Sequence, residues 1–170
     1  DESLHIFREH TLEKAANFFN TRFKGRVCYA VKTNPQPHIL QKVYETGITS
    51  FDVASIAEVE LVKNLLPNAD LYFMHTVKSR AAIKKAYYEY GVRSFSLDTV
   101  EELEKILGET NFAKDLNLFV RLAIPNTYSE LTLADKFGIN SKEAPALLKK
   151  ARQFAKKLGI CFHVGSQCMH

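Results

Sequence analysis

Val27-Cys28-Tyr29-Ala30-Val31-Lys32-Thr33-Asn34-Pro35 is the stretch on which the chain turns. Its first five residues form an apolar run between Gly25 and the Asn-Pro pair, which predicts a buried strand. Lys32 follows at the carboxyl end of that strand. Thr33-Asn34-Pro35 then turns the chain into a helix over about 36–46, with Gly47 as its C-cap. A lysine in this place has two readings. Its stem can pack on the strand end while the ammonium reaches water. Alternatively, its amine stands in a partly dry pocket and attacks an aldehyde. The rest of the chain decides between them.

Outward from this stretch the pattern recurs. The strand over 48–54 ends in Phe51-Asp52-Val53-Ala54-Ser55, and Ser55 with Glu58 forms a capping box that opens a helix. A strand over 70–75 ends at His75 and is followed by a helix over 79–90, closed by Gly91. The strand over 92–97 runs into Asp98. Thr99 with Glu102 forms a second capping box, for a helix closed by Gly108. The strand over 116–122 contains Arg121. The longer connection after it, 123–140, holds Pro125, Asn126 and Gly138 and is long enough to carry a function. Apolar residues then keep helical spacing from Ala144 through Leu147, Ala151 and Phe154 to Leu158, with Gly159 behind the helix. A last strand over 160–164 leads into Gly165-Ser166-Gln167. Before the first strand, 11–20 reads as a helix and 1–10 as a short strand or arm.

Composition narrows the class. The chain has 170 residues, 46% hydrophobic and 25% charged, which suits one globular core. No apolar run approaches the ~20 residues of a membrane span, and the amino end has no signal-peptide pattern. Cys28, Cys161 and Cys168 show neither pairing nor metal spacing, which points to a reducing, cytoplasmic setting. The net charge is +4, with acids and bases interspersed. The one dense basic run, 149–157, lies on a helix whose other face is apolar, so it reads as a solvated face rather than a nucleic-acid footprint.

The strands are apolar almost throughout, as in a parallel sheet covered on both faces. No Gly-x-Gly-x-x-Gly follows the first strand, so a nucleotide-binding doubly wound sheet lacks its signal. The predicted fold is α/β of the (β/α)8 TIM-barrel type, incomplete, with about six of the eight units present. Such barrels build their chemistry at the carboxyl ends of the strands. Those ends carry Lys32, Asp52 with Ser55, His75, Asp98, Arg121, and His163 with Ser166. Each has a plain structural reading: Ser55 and Asp98 as N-caps, the histidines as hydrogen-bonded core residues, Arg121 as an ion-pair partner. Their convergence on one mouth is what points to a site. The set suits an aldehyde cofactor bearing a phosphate. Lys32 supplies the amine and His163 a flat ring to stack. Gly165 lets backbone N–H groups approach the phosphate beside the Ser166 hydroxyl. Pyridoxal phosphate has these needs.

Four ordered motifs, Tyr29-Ala-Val-Lys32-Thr-Asn, Phe51-Asp-Val-Ala-Ser55, Lys136-Phe-Gly and Phe162-His-Val-Gly-Ser166-Gln, resemble the fold-type III pyridoxal-phosphate decarboxylases of ornithine, lysine, arginine and diaminopimelate. The segments over 73–79 and 115–123 look most like the bacterial ornithine/lysine branch. The resemblance implies that Lys32 holds the cofactor covalently and that His163 stacks on its ring. It also implies that Ser166 binds the phosphate, and that Ala30, Asp52 and Arg121 belong to the cofactor pocket. Lys136 resembles a lysine at the family's homodimer interface. The implied activity is decarboxylation of ornithine or lysine to a diamine, in polyamine biosynthesis, with no metal, nucleic acid or membrane involved. The alternatives are a non-catalytic barrel that binds the cofactor or a regulator, and a racemase of the same barrel type. The latter is disfavoured by His163-Val-Gly-Ser166 and the Lys136 loop. The family's glycine-rich phosphate loop, the glutamate facing the ring nitrogen and the carboxy-terminal β domain have no counterpart here. The expectation is therefore an amino-terminal barrel portion, inactive alone.

Overall fold

A computed structural model describes residues 6–124, 129–131 and 136–168, with the backbone alone for 129–131 and 166–168. Helix α1 (Glu9–Arg22) precedes strand β1 (Cys28–Ala30) and a 3-10 turn (Val31–Thr33). Then α2 (Pro37–Glu45), β2 (Ser50–Val53), α3 (Ile56–Leu65), β3 (Asp70–Phe73), α4 (Arg80–Tyr88), β4 (Ser94–Leu97), α5 (Val100–Glu109) and β5 (Asn117–Leu122) alternate. After β6 (Ser129–Leu131) come α6 (Ala144–Arg152), β7 (Lys157–Phe162) and β8 (Ser166–Cys168).

Six strands form one all-parallel sheet in the order β1-β2-β3-β4-β5-β7. One row of paired residues explains its curvature. It runs Ala30, Asp52, Tyr72, Ser94, Asn117, Lys157, so it starts at the last residue of β1 and ends at the first of β7. That steady stagger is the shear that tilts strands and curls a sheet toward a barrel. The result is the expected incomplete (β/α) barrel, a half-barrel with helices on its convex face.

Alternate side chains take opposite sides. On the convex side Phe51, Val53, Phe73, Phe95, Leu97, Leu118 and Val120 are 0 or 1% exposed, and join one core with Leu40, Val59, Val62, Ile83, Leu103, Ile106 and Ala151 of the helices. The helix starts follow local chemistry. Ser55, Ser79 and Thr99 hydroxyls accept from the N–H groups of Glu58, Ala82 and Glu102, and Pro37 opens α2. Gly47 and Gly91, after α2 and α4, take the left-handed conformation that ends a helix.

Several expectations change. The predicted strand end at Lys32 is instead the middle of a 3-10 turn, with Val31 wholly buried beside it. Glu102 does not close a capping box. Its carboxylate is buried, 2.9 Å from Lys78 Nζ and also paired with Lys105. Lys78 Nζ donates to the carbonyls of His75 and Ser96 as well, tying the β3–α4 turn to β4. Gly108 lies inside α5, and Asn111 and Phe112 make the left-handed turn after it. The sixth helix stops at Arg152, although its apolar spacing runs on to Leu158. Gln153 and Phe154 N–H groups shift to carbonyls three residues back, and Lys156 N–H is taken by the Leu116 carbonyl at 2.7 Å. Sheet pairing therefore claims the segment, and Leu158 and Gly159 belong to β7. Gly159 is not a cap. It faces Phe119 across the ladder, where an added Cβ would lie 2.7 Å from the ring. The long connection is also not all loop, since its β6 pairs antiparallel with β8. Residues 1–5 of the predicted arm lie outside the described residues, and 9–10 belong to α1.

Candidate active site

The concave face holds a cavity of about 560 Å³, and Lys32, Asp52, His75, Arg121 and His163 all line it. Each comes from the carboxyl end of a different strand or the turn just after it. The 3-10 turn matters here: Val31 is locked into the core, so Lys32 is turned out, exposed to the cavity. Asp52 projects from β2 between charges of both signs. Burial is the main cause that raises its pKa and Glu58 adds to it, while Lys32 and Arg121 oppose. Glu58 lines the same cavity, and its carboxylate accepts from the Ala54 N–H at 2.6 Å.

The two histidines are held by the same local device. Nδ1 of His75 accepts from the Val77 N–H at 3.0 Å, and Nδ1 of His163 accepts from the Gly165 N–H at 2.9 Å. Each neutral ring therefore carries its proton on Nε2. Burial first, then the Arg121 and Lys32 charges, hold the His163 imidazole below its ordinary range, so it is uncharged at neutral pH. The Gly165 N–H is thus engaged by an imidazole. Gly165 does take φ +94°, a conformation that favours glycine.

Not every strand-end residue joins the cavity. Ser55 caps α3. Asp98 lies outside and accepts from the Gly138 N–H at 2.8 Å. Ala30 pairs with Asp52 in the sheet and is not among the lining residues. Lys136 is exposed, and the side chains of Ser166 and Cys168 lie outside the described residues. Sequence reasoning missed Cys28, Glu58, Tyr72, Met74, Phe137 and Cys161. The two-residue period could have found Tyr72 and Cys161, which share a side with Met74 and His163. Glu58 was read only as a cap, and Phe137 comes from a loop with no period to follow.

Both lining thiols are kept protonated, mainly by burial, with the Asp52 charge adding. Cys28 is pushed up to about 12 and Cys161 to about 11. Beside these two thiols, Lys32 is the group of the cavity that can condense with an aldehyde. A volume of this size suits a small flat ligand. The lining offers an amine for an aldehyde, a neutral imidazole for an aromatic face, and a guanidinium among carboxylates for charge. Pyridoxal phosphate fits this donor set.

Comparison with known proteins agrees. The family model described as pyridoxal-dependent decarboxylase, pyridoxal binding domain, matches residues 8–170. The lysine/ornithine decarboxylase of Selenomonas ruminantium is 37% identical over 148 residues, which are 86% of this chain and 36% of that protein. The arginine decarboxylase of Paramecium bursaria Chlorella virus superposes with TM-score 0.85 at 27% identity, over 95% of this chain and 44% of its own. An SrLDC mutant solved in complex with PLP gives TM-score 0.84 at 33% identity, covering 95% and 42%. The chain spans about a third of the length of the curated relatives it matches. A match over almost every residue means that this chain, folded as a half-barrel of parallel strands, belongs to the pyridoxal-binding domain family of the pyridoxal-dependent decarboxylases.

Proposed function

We propose that the chain is the cofactor-binding barrel portion of a pyridoxal-phosphate-dependent decarboxylase acting on ornithine or lysine, in polyamine biosynthesis. The observation that carries this reading is one cavity shared by Lys32, Asp52, Arg121 and His163. When bound, pyridoxal phosphate supplies an electron sink for the charge left by loss of carbon dioxide. The chain's own residues do the rest. Lys32 would hold the cofactor through its aldehyde group. The uncharged His163 ring stacks without adding a competing charge. Asp52 and Arg121 set opposite charges on one wall, and the Glu58 carboxylate, fixed by the Ala54 N–H, adds to the upward shift of the Asp52 carboxyl. Ala30 supplies backbone beside Asp52, and Ser166 a phosphate contact. Lys136, exposed at the edge of the described fifth connection, is assigned to a homodimer interface of a cytoplasmic enzyme.

The test is borohydride reduction of the full-length protein with pyridoxal phosphate, followed by peptide mapping. A label on Lys32 is expected, and a label on any other lysine overturns the assignment. Turnover of ornithine, lysine, arginine and diaminopimelate then ranks the substrates. A labelled protein that turns over none of them would favour the non-catalytic alternative.

A further inference from the structure

Two strand-end residues, His75 and Asp98, have no part in the roles above, and both touch the same short segment. Residues 136–140 fold back along β5. The Ile139 N–H donates to the Arg121 carbonyl at 2.8 Å, and the Ala123 N–H donates to the Ile139 carbonyl at 2.9 Å. Gly138 makes this approach possible. It stands at φ +100°, and a Cβ there would lie 2.5 Å from the Ala123 nitrogen, backbone that cannot give way. Its N–H is anchored on the Asp98 carboxylate. Held from both sides, the segment delivers the Phe137 ring into the cavity wall. The Arg121 guanidinium lies 5.2 Å from the ring centroid, and the His75 ring meets it edge-on at 5.4 Å and 78°.

Arg121 needs such a partner. Its long side chain loses rotamer freedom on being fixed, and the ion pairs among the described residues involve other side chains. Yet its charge reaches Asp52, Cys161 and His163 across the cavity. A guanidinium packed on an aromatic face is held by the ring quadrupole.

We propose that Phe137 is a positioning residue that holds the Arg121 guanidinium at the cavity wall, and that Asp98 sets the ring from outside the cavity by anchoring Gly138. The side-chain arrangement stands by itself, and its consequence for the cofactor rests on the function proposed above.

The test uses the full-length protein and two pairs of variants: Phe137→Leu with Phe137→Tyr, and Asp98→Ala with Asp98→Asn. The first readout needs no cofactor: NMR titration of the His163 imidazole. Without the ring the guanidinium leaves the cavity wall and its positive charge moves away from the imidazole, so the His163 pKa rises in Phe137→Leu. The second is the fluorescence-measured Kd for pyridoxal phosphate, expected to weaken about 2- to 30-fold, the range of a cation–aromatic contact. Phe137→Tyr keeps the ring face and retains both parent values. Asp98→Asn keeps an acceptor for the Gly138 N–H and stays near the parent, while Asp98→Ala moves in the direction of Phe137→Leu. If Phe137→Leu does not fold, the Asp98 pair carries the same test. An unmoved His163 titration in Phe137→Leu and Asp98→Ala, or a Phe137→Tyr as impaired as Phe137→Leu, overturns the proposal. A shifted titration in a protein that binds no pyridoxal phosphate upholds the positioning role and overturns the cofactor reading instead.

Discussion

The two faces of the same strands obey different rules. On the convex face, Phe51, Phe73, Phe95 and Leu97 are at most 1% exposed and interchangeable in kind, because each need only be apolar and of the right volume. On the concave face, Asp52, Tyr72, Phe119, Arg121 and Cys161 are each partly exposed and stand among specific neighbours. Asp52 sits among Lys32, Glu58 and Arg121. The Tyr72 hydroxyl takes a hydrogen bond from Arg26 at 3.1 Å, and the Phe119 ring faces Gly159. Stability is concentrated on the first face and chemistry on the second, although the residues alternate along one backbone.

Substitutions can break this division or sharpen it. The largest effect belongs to Lys32→Ala, which removes every trace of borohydride-fixed cofactor while changing urea-measured stability by no more than about 0.5 kcal/mol, as for an exposed residue. A large stability loss there would erase the contrast between the faces. On the convex side, Phe95→Ala costs about 3–5 kcal/mol by the same measurement. Next comes the reactivity of the concave thiols. Cys161, pushed up to about 11 from an ordinary 9.0, alkylates about 100-fold more slowly than a free thiol at pH 8, and its rate keeps rising with pH after that of a free thiol has levelled off. Rates that level off near pH 9 would show that the cavity does not burden the thiol. Gly159→Ala, on the concave side, costs about 1–3 kcal/mol by overpacking against Phe119, although it adds apolar surface. The smallest effect is Ser55→Ala, about 1 kcal/mol from loss of the hydroxyl that caps α3.

The convex face was legible in the sequence because it repeats. Apolar strands, capped helices and glycine stops follow from local rules, and they gave the unit order and the half-barrel. Lys32, Asp52, Arg121 and His163 were legible because an ionisable residue at the end of an apolar run is conspicuous. Elsewhere the local pattern misled. The spacing Ala151, Phe154, Ala155, Leu158 satisfies a helix, but the backbone of Lys156 finds its partner in the Leu116 carbonyl, a choice no local period encodes. Glu102 stands where a capping box wants it, yet Lys78, 24 positions earlier, has the stronger claim on its carboxylate (102 − 78). Phe137 and Glu58 enter the cavity through tertiary placement, which periodicity does not carry.

The ring of Phe119 and the bare backbone of Gly159 share a single volume across two strands. Bulk can be exchanged between these sites, and one order is cheaper than the other. A side chain gained at 159 before 119 has become smaller carries the overpacking cost, and the opposite order avoids it. Two positions 40 residues apart in the chain (159 − 119) therefore form one heritable unit, and their joint path of change is directional.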